Sequence, residues 1–180
     1  MTEITNAIRP RSRKAWRNWL KKNHAKEQNV WCIVAKKDSR LPGVSYVEAV
    51  EEALCFGWID SKAISCDEDG YYQYFAQRKA KSPWTKLNKT RVEMLTAKGL
   101  MAEAGFASIE AAKASGGWYL FDDAEEGILP DDLKLFLEEN SGAKDKYEKL
   151  SSAKQKQLLM ALALKKGAVA RRKEMEVTLG

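Results

Sequence analysis

Apolar residues recur along this chain first at helical spacing, then in strand-like runs, then again at helical spacing. Trp16, Trp19 and Leu20 stand at i, i+3 and i+4 behind Ser12, which predicts a Ser12-capped amphipathic helix reaching about Asn23. Lys14, Arg17, Lys21 and Lys22 fall mostly on its other faces. The unbroken apolar run at 30–35 predicts a central strand covered on both faces. Ser45 and Glu48 have the spacing of a capping box, in which each satisfies a backbone donor of the helix start. That helix is expected to reach Phe56 and to stop at Gly57. Residues 58–65 and 71–77 read as an antiparallel pair, with Asp69-Gly70 suited to the hairpin turn. Ser82-Pro83 supplies a cap and a first-turn proline for a helix over 83–98, ended by Gly99.

Beyond that point strand signals vanish. Short helices are expected between Gly105, Gly116-Gly117, Pro130, Gly142 and Gly167. Pro130-Asp131-Asp132 opens one of them with acidic residues where the helix dipole favours them, and Leu133, Phe136 and Leu137 form its buried face. Ser151 caps another, which carries Leu158, Leu159, Leu162 and Leu164 and closes at Lys165-Lys166-Gly167. The fold class that follows is α+β: a small antiparallel-containing sheet packed with helices, then a helical C-terminal region. A boundary near 115–117 divides the chain into an α+β domain, 1–116, and a helical region, 117–180, expected to pack on it.

Composition changes this picture little. With 44% hydrophobic and 31% charged residues in a chain of 180, the protein can build its own core and has none of the marks of disorder. The basic start is followed by no apolar stretch of the secretory kind, and no apolar run is long enough to span a bilayer. A cytoplasmic protein without membrane insertion is therefore expected. Cys32, Cys55 and Cys66 lack any C-x-x-C spacing and are expected to be reduced, buried thiols. The net charge of +6 conceals basic blocks at 1–40, 71–100 and 141–180, separated by acidic blocks at 41–70 and 101–140. Opposite blocks can neutralise one another, which weakens the usual link between a basic pI and nucleic acid.

Few catalytic chemistries are open to such a chain. A histidine-based triad would have to use His24, the single histidine, whose place at a predicted helix end suits it to the C-terminal dipole. The acidic group at 67–69 lacks the glutamate that a calcium loop would need at 76, where Ala76 stands. Phosphate-binding glycine loops are missing, and Asp60 is the one attractive carboxylate for acid–base work. No catalytic residue, metal site or cofactor is expected.

What remains points to binding. Arg78, Lys79 and Lys81 lead into the Ser82-Pro83 helix start, and Lys86 and Asn88 follow in its first turns. A helix start offers N–H groups and partial positive charge, so Trp58, Asp60, Arg78, Ser82, Trp84, Lys86 and Asn88 form a candidate pocket. Its partner would be a small anionic ligand or an acidic peptide. In the purely structural alternative Arg78 pairs with Asp60 across the sheet and Trp84 fills the core. A different class of function, nucleic-acid binding, would use the basic N-terminal helix and the Arg78–Arg91 block, interleaved with aromatic residues able to stack bases.

The stretch from Ser45 through Asp60, Ser-Tyr-Val-Glu-Ala-Val-Glu-Glu-Ala-Leu-Cys-Phe-Gly-Trp-Ile-Asp, resembles the hallmark of the YdeI/OmpD-associated, or bacteriocin-protection, family. Trp19-Leu20 with Asn23-His24, Val30-Trp31 before Lys36-Lys37, Tyr72 through Phe75 before Arg78, and Ser82 through Asn88 agree with it. The chain departs from the family's Phe-Thr-Pro-Arg at Phe75-Ala76-Gln77-Arg78, and from its Glu-Thr-Arg at Val169-Ala170-Arg171-Arg172. The resemblance implies an OmpD-associated domain at the C-terminal end and an association with tolerance to bacteriocins or antimicrobial peptides. It implies no defined reaction.

Overall fold

Three short extended segments build the sheet, with buried and half-exposed residues alternating along the first of them, 29–35. The computed structural model of the protein describes Ile4 and residues 7–180. Strands β1 (Asn29–Ala35), β2 (Trp58–Ser65) and β3 (Gly70–Gln77) form an antiparallel sheet in the order β1-β3-β2. Helices α1 (Arg13–Asn23), α2 (Tyr46–Cys55), α3 (Lys86–Ala97) and α4 (Glu103–Ser115) complete this half of the chain. The protein is α+β. Contacts divide it into two compact units, Met1–Ser82 with Leu87–Gly117, and Pro83–Lys86 with Trp118–Gly180.

Local chemistry starts α1 and α2 where their capping residues predict. Ser12 accepts a hydrogen bond from the Ala15 N–H, and Ser45 and Glu48 form the reciprocal capping box. The apolar stripe of α1 then reaches the core, where Trp16 is fully buried, stacks on Trp19 at 5.3 Å and donates its indole N–H to Ala49 O. Phe75 packs against it at 5.3 Å, and Trp58, Leu54 and Leu95 are buried in the same unit. Close packing sets one sequence requirement: a Cβ on Gly105 would lie 2.3 Å from Cys55 O, so only glycine lets α4 approach the end of α2.

Three expectations need correction. The run at 30–35 is not the central strand, a place taken by β3, and only one of its faces is buried. Val30, Cys32 and Val34 point into the core, whereas Trp31 lies edge-on to Tyr74 at 5.0 Å with the Lys62 ammonium over both rings. An aromatic outer face with a cation above it looks, in sequence, like a face covered by protein. The hairpin does not use Asp69-Gly70 as its turn, because Gly70 already belongs to β3 and has no positive φ. Asp67 Oδ1 instead accepts the Asp69 and Gly70 N–H groups, and the glycine is needed because a Cβ would meet Ile33 Cγ2 at 2.8 Å. Third, α3 begins at Lys86 rather than Pro83, and the four residues before it are irregular.

In the second unit, α5 (Asp122–Glu126), α6 (Asp131–Glu139), α7 (Ser141–Lys149), α8 (Ser152–Leu164) and α9 (Ala168–Leu179) gather around one apolar cluster. Leu133, Phe136, Leu158, Leu162, Met175 and Leu179 dominate it. Ser151 caps α8 through the Lys154 N–H, as its position suggests. Gly167 serves as the N-cap of α9, a helix whose periodicity is too weak to be read from sequence, and Lys165 ends α8. Among the described residues no helix is long and apolar enough to cross a membrane.

Candidate ligand-binding groove

The seven residues of the candidate pocket have different fates. Trp58 is core, 1% exposed, with its indole N–H given to His24 O at 3.3 Å. Ser82 closes a turn through its N–H to Lys79 O at 2.9 Å and caps no helix. Trp84 and Lys86 belong to the second unit, where Trp84 is buried beside Trp118 at 4.9 Å. The Lys86 N–H, which opens α3, is met by a carboxylate of the same unit, Glu125 Oε1 at 3.1 Å, and Lys156 pairs with that group at 2.9 Å. Burial raises the Glu125 pKa, but these hydrogen bonds and positive charges outweigh it and hold the carboxyl below its ordinary range. The helix start expected to hold an external anion thus has an internal one.

Asp60, Arg78 and Asn88 belong to a cluster in the first unit. Asp60, half-buried on β2, accepts the Tyr46 hydroxyl at 2.8 Å. Burial, that hydrogen bond and the Asp60 charge push the Tyr46 phenol up to about 12, against the opposing charge of Arg91. Tyr71 is raised by burial and by the same aspartate. Arg78 follows β3, is 9% exposed, and ties its backbone N–H to Gly57 O at 2.9 Å. Burial brings its guanidinium down to about 10, with the Asp60 charge in partial compensation, so it stays charged at neutral pH. Asn88 Oδ1 accepts from Arg91 at 3.2 Å.

Tyr46 and Tyr71 also line an open groove of about 640 Å³, with Lys36, Lys37, Ser39, Leu41, Ser45, Val47 and Glu48. The loop after β1 forms one wall, pinned by the Ala35 N–H to Val44 O at 2.9 Å. The first turn of α2 forms another. Carboxylates near the groove are committed locally. Glu48 accepts from the Ser45 N–H and hydroxyl at 3.0 and 2.8 Å and has a lowered pKa, chiefly through the backbone bond. Asp69 accepts from Ser39 and the Arg40 N–H, and Asp67 pairs with Arg9. Lys36 donates to Asp67 O at 2.7 Å, and Lys37 enters no ion pair among the described residues.

Residues 8–108 match the model of a family described as a domain of unknown function, DUF8412. The chain belongs to that family. No curated protein and no solved structure matches it. The DUF8412 segment includes the groove lining, 35–48 with Tyr71, and also Asp60, Arg78 and Arg91.

The residues expected to serve nucleic acid are partly committed elsewhere. Arg13 pairs with Glu51 and Glu52, and Arg17 with Glu52 at 2.6 Å, while Glu52 is only 2% exposed. Among the described residues no cluster of histidine, cysteine and acidic groups could hold a metal ion. The cysteines are free thiols, and burial pushes Cys32 and Cys55 above the ordinary range, which makes them poor nucleophiles. His24 does sit at the end of α1, its Nδ1 2.9 Å from Leu20 O. Sequence reasoning missed Tyr46, Tyr71 and the groove lysines. Two signals pointed to them: Tyr46 and Asp60 bracket the hallmark stretch, and Lys36-Lys37 directly follows a strand.

Proposed function

We propose that the DUF8412 unit is a binding module for a small anionic ligand, taken up in the groove between the loop after β1 and the first turn of α2. The observation that carries this reading is the groove lining, in which Lys36 and Lys37 stand beside carboxylates already engaged by their own neighbours. A volume of about 640 Å³ falls in the range of small-molecule pockets. Ser39 and Ser45 are polar neighbours of the lysines whose hydroxyl protons go to acceptors of the protein, and Glu48 already meets the start of α2, so the lysines supply the positive charge of the groove. Tyr46, held by Asp60, gives the groove a wall fixed before the ligand arrives. This reading relocates the anion site from the start of α3, which Glu125 occupies.

Kinship with the bacteriocin-protection family is part of the same proposal. The Ser45–Asp60 stretch that carries the resemblance supplies the α2 cap, Tyr46 and Asp60, all at or beside the groove. A role in tolerance to bacteriocins would then act through the bound ligand.

Thermal unfolding tests the binding claim. Sulfate or phosphate, compared with chloride at equal ionic strength, is expected to raise the melting temperature of the wild type, since a ligand specific for the native state stabilises it. Lys37→Gln, at an exposed position, should fold normally and lose most of that rise. Equal responses of variant and wild type would refute the site.

A further inference from the structure

We propose that the ligand of this groove is an amphipathic organic acid, a carboxylate head on a hydrocarbon body several carbons long. The inference rests on the anion-binding reading above and names the class of anion. Three large apolar side chains with high exposure, Leu41 at 50%, Val47 at 49% and Tyr46 at 39%, line this one groove. Scattered surface apolar residues are ordinary, but their convergence in a concavity beside two lysines marks a site with an apolar part and a cationic part.

The apolar part is held open by hydrogen bonds. The Ser39 hydroxyl oxygen accepts the Leu41 N–H at 3.1 Å, which fixes the backbone carrying that side chain. Gly43 lets the same loop lie against β1, because a Cβ there would come within 2.7 Å of the Ala35 Cβ. Val47 sits in the first turn of a helix fixed by its capping box. The Tyr46 hydroxyl bond to Asp60 holds that ring in place. These restraints keep apolar surface in water in the unliganded protein, and a hydrocarbon body that covered it would gain the hydrophobic free energy. A bare inorganic anion would meet the lysines and leave the remainder of a groove of about 640 Å³ empty.

Charge selects the head group. Lys36 and Lys37 oppose Glu48, whose carboxylate is bound to Ser45, so the lining favours an anion over a neutral amide or a cation. A carboxylate spreads its charge over two oxygens and can accept from two ammonium groups at once.

Calorimetric titration of the full chain with acetate, butyrate, hexanoate and octanoate, with sulfate and octanamide as controls, tests the assignment. Affinity should rise by about threefold to fourfold for each methylene that becomes buried. Octanamide should bind at least tenfold more weakly than octanoate, and Leu41→Ser should weaken octanoate while leaving sulfate unchanged. Sulfate binding with no gain along the acid series would overturn this inference and leave the anion site standing. Silence from every anion would overturn both. Equal binding of octanoate and octanamide would overturn the ionic part, and much tighter binding of a leucine-terminated peptide with a free carboxylate would reassign the groove to a peptide end.

Discussion

The two units of this chain manage charge in opposite ways. In the first, Glu52 is 2% exposed between Arg13 and Arg17, and Arg78 is buried near Asp60. In the second, the core is almost wholly apolar and the ion pairs Arg171–Asp132, Lys165–Glu174 and Arg172–Glu176 lie nearer the surface, with the largely buried Glu125 beside Lys156 as the exception. Buried ion pairs are costly to desolvate and intolerant of losing a partner, whereas surface pairs contribute little. The difference shows where stability and function can separate. A helical unit can rest on an apolar core, while the α+β unit holds charges in fixed places and leaves a groove open beside them.

The largest expected effect breaks that contrast on the buried side. Glu52→Ala removes the shared partner of Arg13 and Arg17 and should cost about 3–5 kcal/mol in denaturant unfolding. A loss below about 1 kcal/mol would show that the network behaves like a surface pair. Leu162→Ala tests the apolar side, because Leu162 is fully buried in the helical cluster; about 2–5 kcal/mol is expected from lost burial and the remaining cavity.

Smaller effects sharpen the comparison. Ser45→Ala should cost about 1 kcal/mol, and the Ser45→Ala/Glu48→Ala double variant should lose less than the sum of the single losses, since both act through one capping box. Additive losses would mean that the two side chains act independently. Asp132→Asn should cost no more than about 1 kcal/mol at pH 7. The Arg171 hydrogen bond lowers the Asp132 pKa, so the contribution of this group is present above the ordinary aspartate range and disappears as pH falls through its folded value. Unfolding curves of wild type and variant should therefore converge on acidification.

Legibility in the sequence followed the range of the interaction. Caps at Ser12, Ser45 and Ser151 act over three residues, and all three start helices where they should. Ser82-Pro83 failed because a helix start is also decided by what meets its N–H groups, and Glu125, 39 positions away, meets the one at Lys86. Of the candidate pocket, Asp60 reaches the groove wall through its bond to Tyr46, whereas the sequence reading sets it beside the Ser82-Pro83 helix start. Trp58 and Trp84 were misread because a core tryptophan and a binding tryptophan look alike until burial is known.

By itself the sequence determined the fold class, the hairpin, the starts of α1, α2, α6 and α8 and the absence of common catalytic motifs, because these depend on periodicity, residue type and neighbours a few positions apart. Tertiary structure alone decided that β3 is central, that Glu52 is buried under two arginines, and that Tyr46 and Asp60 are bonded beside a groove with lysines on its wall. Those outcomes depend on which distant side chains become neighbours, and on how much water folding removes between them.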